Sequence, residues 1–307
     1  MLDQSKPGAL APITRDLSTE AAIATLLAAC QAELVIALRA ALDRPAADEI
    51  HALRVALRRL RTGLGLCRDW SGSDCFGTVD ADAHELAIVL GQARNWDVLV
   101  TETLPRHTPD LAGFIDLAPL AEAALAARNT HYRELLARLD GPLPQKLLLG
   151  LALLLSEQPW HGPRGKLPKR LSSPVKDKAA KSLARGQRRQ LRRGKGLREL
   201  SDRERHRLRI GAKRHGYAVD MLGGVWGKSG KQRAYRRSVR DLQATLGALN
   251  DIETTRVLLE EIGTEQMAPG LNRAIGAVLG CSAREKRERL AALGSVWRAY
   301  RSARPFW

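Results

Sequence analysis

The amino-acid sequence predicts an all-α protein built as two similar helical bundles in tandem. Three observations carry this. Aromatic residues are only 4% of 307 positions while Ala, Leu and Arg dominate, a balance that favours helices because Ala and straight-chain residues lose little rotamer freedom there. No run of alternating β-branched residues argues for a strand. One amphipathic motif occurs twice, as HALRVALRRLR from His51 to Arg61 and as HRLRIGAKRHGY from His206 to Tyr217.

The elements follow in order. Residues 18–43 form a long apolar-periodic segment that ends before Pro45, and a second helix is expected over 47–69. A third, over 83–103, opens on Asp82 and Glu85 in capping-box spacing. Helices over 116–139 and 143–157 are separated by the turn DGPLP. The stretch from Pro159 to Pro174 is rich in Pro, Gly and basic residues and reads as a linker, with Ser173 and Pro174 as N-cap and first-turn proline. Helices are then expected over 174–194, 202–223, 230–262 and 267–303, the second of these capped by Ser201 and Glu204. Residues 1–160 make the first unit and residues 161–307 the basic linker and second unit.

The repeat runs beyond one motif. LGQARNWD, Leu90 to Asp97, answers LGALNDIE, Leu246 to Glu253, in the same order and at nearly the same distance from the histidine. Gly91 and Gly247 sit inside these helical patterns, where each costs about 1 kcal/mol against Ala. Close helix–helix approach is the expected compensation. Asp97 and, less clearly, Asp251 could orient a basic side chain from the motif helix, or could be ordinary surface or capping carboxylates.

At 100° per residue, His51, Arg54, Arg58 and Arg61 share a stripe about 15 Å long, with Leu53, Leu57, Leu60 and Leu64 opposite. In the second copy His206, Arg209, Lys213 and Tyr217 share the stripe against Leu208, Ala212 and Val219. Like charges one turn apart repel by a few tenths of a kcal/mol per pair, and few acids at i±4 compensate. Such rows suit a bound polyanion. A third cationic element is denser: from Pro163 to Arg198 fourteen Lys or Arg face one acid, Asp177, so 14 − 1 = +13 of the chain's +17 lies there. Lys178, Lys181, Arg185, Arg189 and Arg192 line one face of its helix.

The surplus charge points to an anionic partner, whether nucleic acid, an acidic surface or another polyanion. His51 and His206 are read as anion contacts rather than metal ligands, because no second His or carboxylate lies one turn away; no metal and no cofactor is expected. Cys30, Cys67, Cys75 and Cys281 are scattered without a CxxC pair, which fits thiols in a reducing cytosol. The N-terminus lacks an apolar signal region, and the run from Leu147 to Leu155 is too short for a bilayer, so no membrane partner is expected. A phosphohydrolase or phosphotransferase would need a carboxylate cluster, a P-loop or an activated nucleophile, and the sequence offers none.

From about Leu17 to the C-terminus the chain resembles the CHAD family, the conserved-histidine α-helical domain. HALRVALRRLRTGL and LGQARNWDVL are similar to its first-half motifs, and HRLRIGAKRHGYAVDML and LQATLGALND to its second-half motifs. The resemblance implies two antiparallel bundles related by a pseudo-two-fold, a shared basic groove that binds inorganic polyphosphate, no catalysis, and a cytoplasmic location on polyphosphate granules. By position it implies His51, Arg54, Arg58, Arg61, Arg94, His206, Arg209, Lys213 and Arg214 as ligands. Two positions depart from the family pattern: Asn95 replaces an Asp, and Gly216 replaces an Arg, removing a cation from the second stripe. The alternative is a general polyanion or nucleic-acid binder using the same surface, although no helix-turn-helix, zinc-finger or RNP pattern accompanies the charge.

Overall fold

The computed structural model describes residues 13–161, 167–265 and 268–307; part of the basic linker, 162–166, lies outside them, as do residues 1–12, on which the signal-region reading falls. Eleven α-helices are described: α1 (Thr19–Asp43), α2 (Ala47–Ser71), α3 (Gly77–Val98), α4 (Leu104–Leu111), α5 (Ala118–Asp140), α6 (Pro142–Glu157), the one-turn α7 (Lys169–Ser172), α8 (Val175–Arg193), α9 (Asp202–Leu222), α10 (Gly230–Glu265) and α11 (Pro269–Ser302). A π-helical turn, Leu99–Thr103, joins α3 to α4, and a 3₁₀ turn, Gly223–Trp226, follows α9. Among the described residues no strand forms beyond one bridge, Ser18 to Pro174. The all-α expectation holds.

Most helix limits fall within two residues of the sequence reading, and the differences have physical causes. Asp82 caps nothing: α3 already starts at Gly77, behind the fully buried Phe76, whose ring stacks on Trp160 at 5.9 Å between centroids. Asp82 is instead buried and accepts from Lys146 Nζ at 2.8 Å. Helix continues past residue 103 because Pro105 sits in the first turn of α4, where a missing N–H costs nothing. Ser173 is no side-chain cap either; its hydroxyl donates to the Arg170 carbonyl. Ser201 and Glu204 do form the reciprocal capping box.

Sequential helices pack as hairpins, α1 on α2 and α10 on α11 most extensively. Contacts between the halves are as ordered. α2 packs on α9, α3 on α10, and α11 on α4 and α5. The larger core runs from Leu26 and Leu57 to Leu208 and Tyr235, and the smaller joins Trp96, Leu99 and Leu120 to Leu259, Leu271 and Val278. Each core therefore draws on both halves. At the starts of α1 and α8 the backbones exchange two bonds, Thr19 N–H to the Ser173 carbonyl at 2.8 Å and Val175 N–H to the Leu17 carbonyl at 2.9 Å. These four residues are related by a single offset, as a two-fold relation between the halves requires. The described parts of the linker are pinned as well: Trp160 and Leu171 are buried, and Arg170 Nε donates to the Ser71 carbonyl at 2.7 Å. α1 is long and apolar enough to cross a membrane by composition, yet Ile23, Leu27 and Leu34 sit in the core and its Glu33 pairs with Arg59 at 2.7 Å.

Where α8 crosses α9, Gly186 and Gly211 make the close approach possible. A Cβ on Gly186 would lie 2.5 Å from His215 Nδ1, and one on Gly211 would lie 2.2 Å from Gln190 Nε2. His215 is buried with Nε2 2.8 Å from the Tyr235 hydroxyl, and burial holds its imidazole down to about 4. Unfolding returns it to the ordinary 6.5, so between pH 6.5 and 4 the unfolded chain binds the proton that the folded chain refuses. Stability should therefore fall with pH across that window, by about 3 kcal/mol from this group. Thermal melts of wild type and His215→Gln at pH 7.5 and 4.5 should differ in their acid loss by that amount. Parallel losses would exclude His215 as the cause.

Candidate functional site

The site begins with the two motif helices. On α2, Ile50, Leu53, Leu57, Leu60 and Leu64 are fully buried; on α9, Leu208, Ala212, Val219 and Leu222 are. The polar stripes must then face away from both cores. Because α2 and α9 pack against each other, the two stripes meet across one cleft of ≈ 230 Å³. Arg54, Arg58 and Arg61 form one wall and Arg209, Lys213 and Arg214 the other, with Thr62, His84, Ile88 and Tyr217 between them. Among the described residues no carboxylate lines it.

Electrostatics bind the halves into one site. Burial, and after it Arg58, Arg209 and Arg94, push the Arg54 guanidinium down to about 9 against the opposing pull of Asp251. It remains charged at pH 7. Lys213 is lowered by burial, then by Arg209 and Arg58. Arg209 is lowered by burial and by Arg58, against the opposing pull of Asp251, whose Oδ1 lies 3.9 Å from Arg209 Nη2. His51 is lowered by burial and then by Arg94, Arg54, Arg58 and Lys213, so its ring is neutral at pH 7. An anion entering the cleft would relieve repulsion among Arg54, Arg58, Arg209 and Lys213.

The other expected ligands divide. Arg61 is held by Asp80 (2.9 Å) and donates to His84 Nδ1 (3.0 Å). Arg94 lies outside the cleft wall and pairs with Glu102 at 2.5 Å. His206 is exposed and also off the wall; its Nδ1 donates to Asn250 Oδ1 at 2.6 Å, which leaves Nε2 an acceptor unless the ring is protonated. Arg185 and Arg189 line a second cavity of ≈ 520 Å³, which is continuous with the first through Arg61, Thr62, Ile210 and Arg214. Arg185 is paired there with Asp69 at 3.0 Å. Lys178 and Lys181 lie outside both cavities: α8 starts beside the end of α2, so the Lys178 ammonium points at the Trp70 carbonyl, 3.4 Å away, and Lys181 faces solvent.

Several readings are corrected. Asp97 orients no motif-helix cation. It is fully buried and accepts from Arg128 Nε and the Tyr132 hydroxyl of α5, both at 2.7 Å. The less prominent Asp251 is the one that meets a motif arginine. Gly91 and Gly247 are not demanded by close helix packing, since a Cβ on Gly91 would touch only the Arg54 guanidinium at 3.9 Å and one on Gly247 would touch nothing. Gly216 is buried against Gln243, whose amide donates to the Ala212 carbonyl at 2.8 Å, so a side chain there would have clashed rather than extended the stripe.

The second cavity also contains Arg68, Arg193 and Arg207, which the stripes did not include. Arg68 continues the α2 row two turns beyond Arg61, past the open Gly65, and Arg193 lies one turn beyond Arg189; both spacings were readable. His84 on α3 carries no such signal.

The family model for the CHAD domain matches residues 21–260. The crystal structure of the CHAD domain from the plant Ricinus communis is similar over 96% of this chain and 96% of that one, with a TM-score of 0.78 and 24% identity. PptA from Streptomyces chartreusis is similar over 92% of this chain and 100% of that one, with a TM-score of 0.66 and 15% identity. At these identities the likeness is one of fold. No curated protein matches in sequence.

Proposed function

The chain belongs to the CHAD domain family, and on that premise we propose that it binds inorganic polyphosphate, without turning it over, along the cationic cleft between α2 and α9. One observation carries the reading: six Lys and Arg side chains, three from each half, line a cleft that no carboxylate of the described residues lines. Arginine forks take phosphate oxygens two at a time, and the lysine acts as a point charge. A flexible phosphate chain releases its condensed counterions as it enters, which makes the affinity salt-dependent. The second cavity extends the same basic track towards α8 through Arg189 and Arg193. Binding in the cytoplasm at polyphosphate granules is part of the proposal.

The test is a competition. Long-chain polyphosphate, duplex DNA and single-stranded RNA are titrated at matched phosphate concentration and salt. Polyphosphate should bind tightest, with log affinity falling linearly with log salt. Equal affinity for all three polymers would reduce the function to general polyanion binding, and phosphate release in the presence of Mg²⁺ would overturn the non-catalytic reading.

A further inference from the structure

The two halves place unequal charge beside equivalent arginines. Aligning LGQARNWD with LGALNDIE puts Asn95 of α3 at the position that Asp251 holds on α10, and aligning the motif helices puts Arg54 of α2 at the position of Arg209 on α9. Arg209 has its acid, Asp251, at 3.9 Å. Arg54 has none: among the described residues no carboxylate lies within 4.0 Å of its guanidinium, which sits over Gly91, one helical turn before Asn95. Asp251 also acts on Arg54 and Lys213. Asp251 is thus paired with Arg209 and reaches Arg54 and Lys213 only from beyond 4.0 Å, where a symmetric pair of repeats would give each arginine its own acid.

We infer that Asn95 is an affinity-determining position, keeping Arg54 free of an internal counter-ion so that a bound phosphate makes its firmest contact on the α2 side of the cleft. This rests on the polyphosphate reading above. An arginine already paired with a carboxylate must give up that pair before it can take a phosphate oxygen, whereas an unpaired, partly buried guanidinium gains a charge-assisted partner outright. Arg209 is in the first condition and Arg54 in the second. Asn95 keeps the polarity and size of an Asp while withholding its charge.

Four proteins separate the outcomes: wild type, Asn95→Asp, Asn95→Ala and Asp251→Asn, each titrated with long-chain polyphosphate at low and at physiological salt and each checked by its melting temperature. Asn95→Asp should weaken binding about three- to tenfold, less at the higher salt. Asn95→Ala should bind as wild type does, and Asp251→Asn should bind more tightly. Unchanged affinity in Asn95→Asp, or an equal loss in Asn95→Ala, would overturn the inference while leaving polyphosphate binding intact. Failure of the wild type itself to bind would remove both.

Discussion

Reversing two charges, Arg58→Glu together with Lys213→Glu, should lower the affinity for long-chain polyphosphate about 10²- to 10⁴-fold without lowering the melting temperature. The pair is chosen for position. Arg58 acts on Arg54, Arg209, Lys213 and His51, and Lys213 reaches His51 across the cleft from the other half. Each charge-assisted contact to a phosphate contributes about 1.5–3 kcal/mol, so losing one from each wall removes about 3–6 kcal/mol. Folding should suffer little, because among the described residues neither side chain is paired with a carboxylate within 4.0 Å, Asp251 pulling on Lys213 only from longer range, and both cations repel their neighbours. Isothermal titration measures the first quantity and a thermal melt the second. Lys178→Glu is the control: its ammonium points at the Trp70 carbonyl outside the cleft, so affinity should change little. Retained affinity in the double variant would place the polymer on another surface.

Asp97→Ala should do the opposite, costing stability of about 3–5 kcal/mol while leaving polyphosphate affinity at wild-type strength below the melting transition. The carboxylate is fully buried and serves two donors, Arg128 Nε and the Tyr132 hydroxyl. Arg128 also lies over the Tyr132 ring, 4.2 Å from its centroid. Truncation leaves a guanidinium and a phenol without their acceptor where the two cores adjoin, Tyr132 belonging to the larger and Trp96 to the smaller. A fall in melting temperature of roughly 5–15 °C follows for a chain of this size. Unchanged melting with lost binding would mean that Asp97 belongs to the ligand after all.

These two residues show how far the sequence could be read. Arg58 was legible because a stripe on one helix needs only the 3.6-residue period, and because a second helix repeats it. That the two stripes meet was legible only through the duplication. Asp97 misled because its partners lie on α5, some thirty residues on, and no local spacing records which helix packs where. Its repeat counterpart Glu253 pairs instead with Arg256 and Lys286 on the surface. The start of α3 was missed for a related reason: Phe76 anchors it by stacking on Trp160 from beyond α6. Lys178 and Arg189 share a helical face, but that helix is long enough for its two ends to have different neighbours.

The backbone exchange at the starts of α1 and α8, with both cores assembled from both halves, has an implication for ancestry and for engineering. A solitary repeat would leave Trp96 without Leu259, Leu271 and Val278 of the other half, so a single unit would need a second copy to cover the same face. The same reasoning makes the basic connector the natural place to split the protein: with each core drawn from both halves, two fragments cut there are expected to gain helical circular dichroism on mixing that neither shows alone.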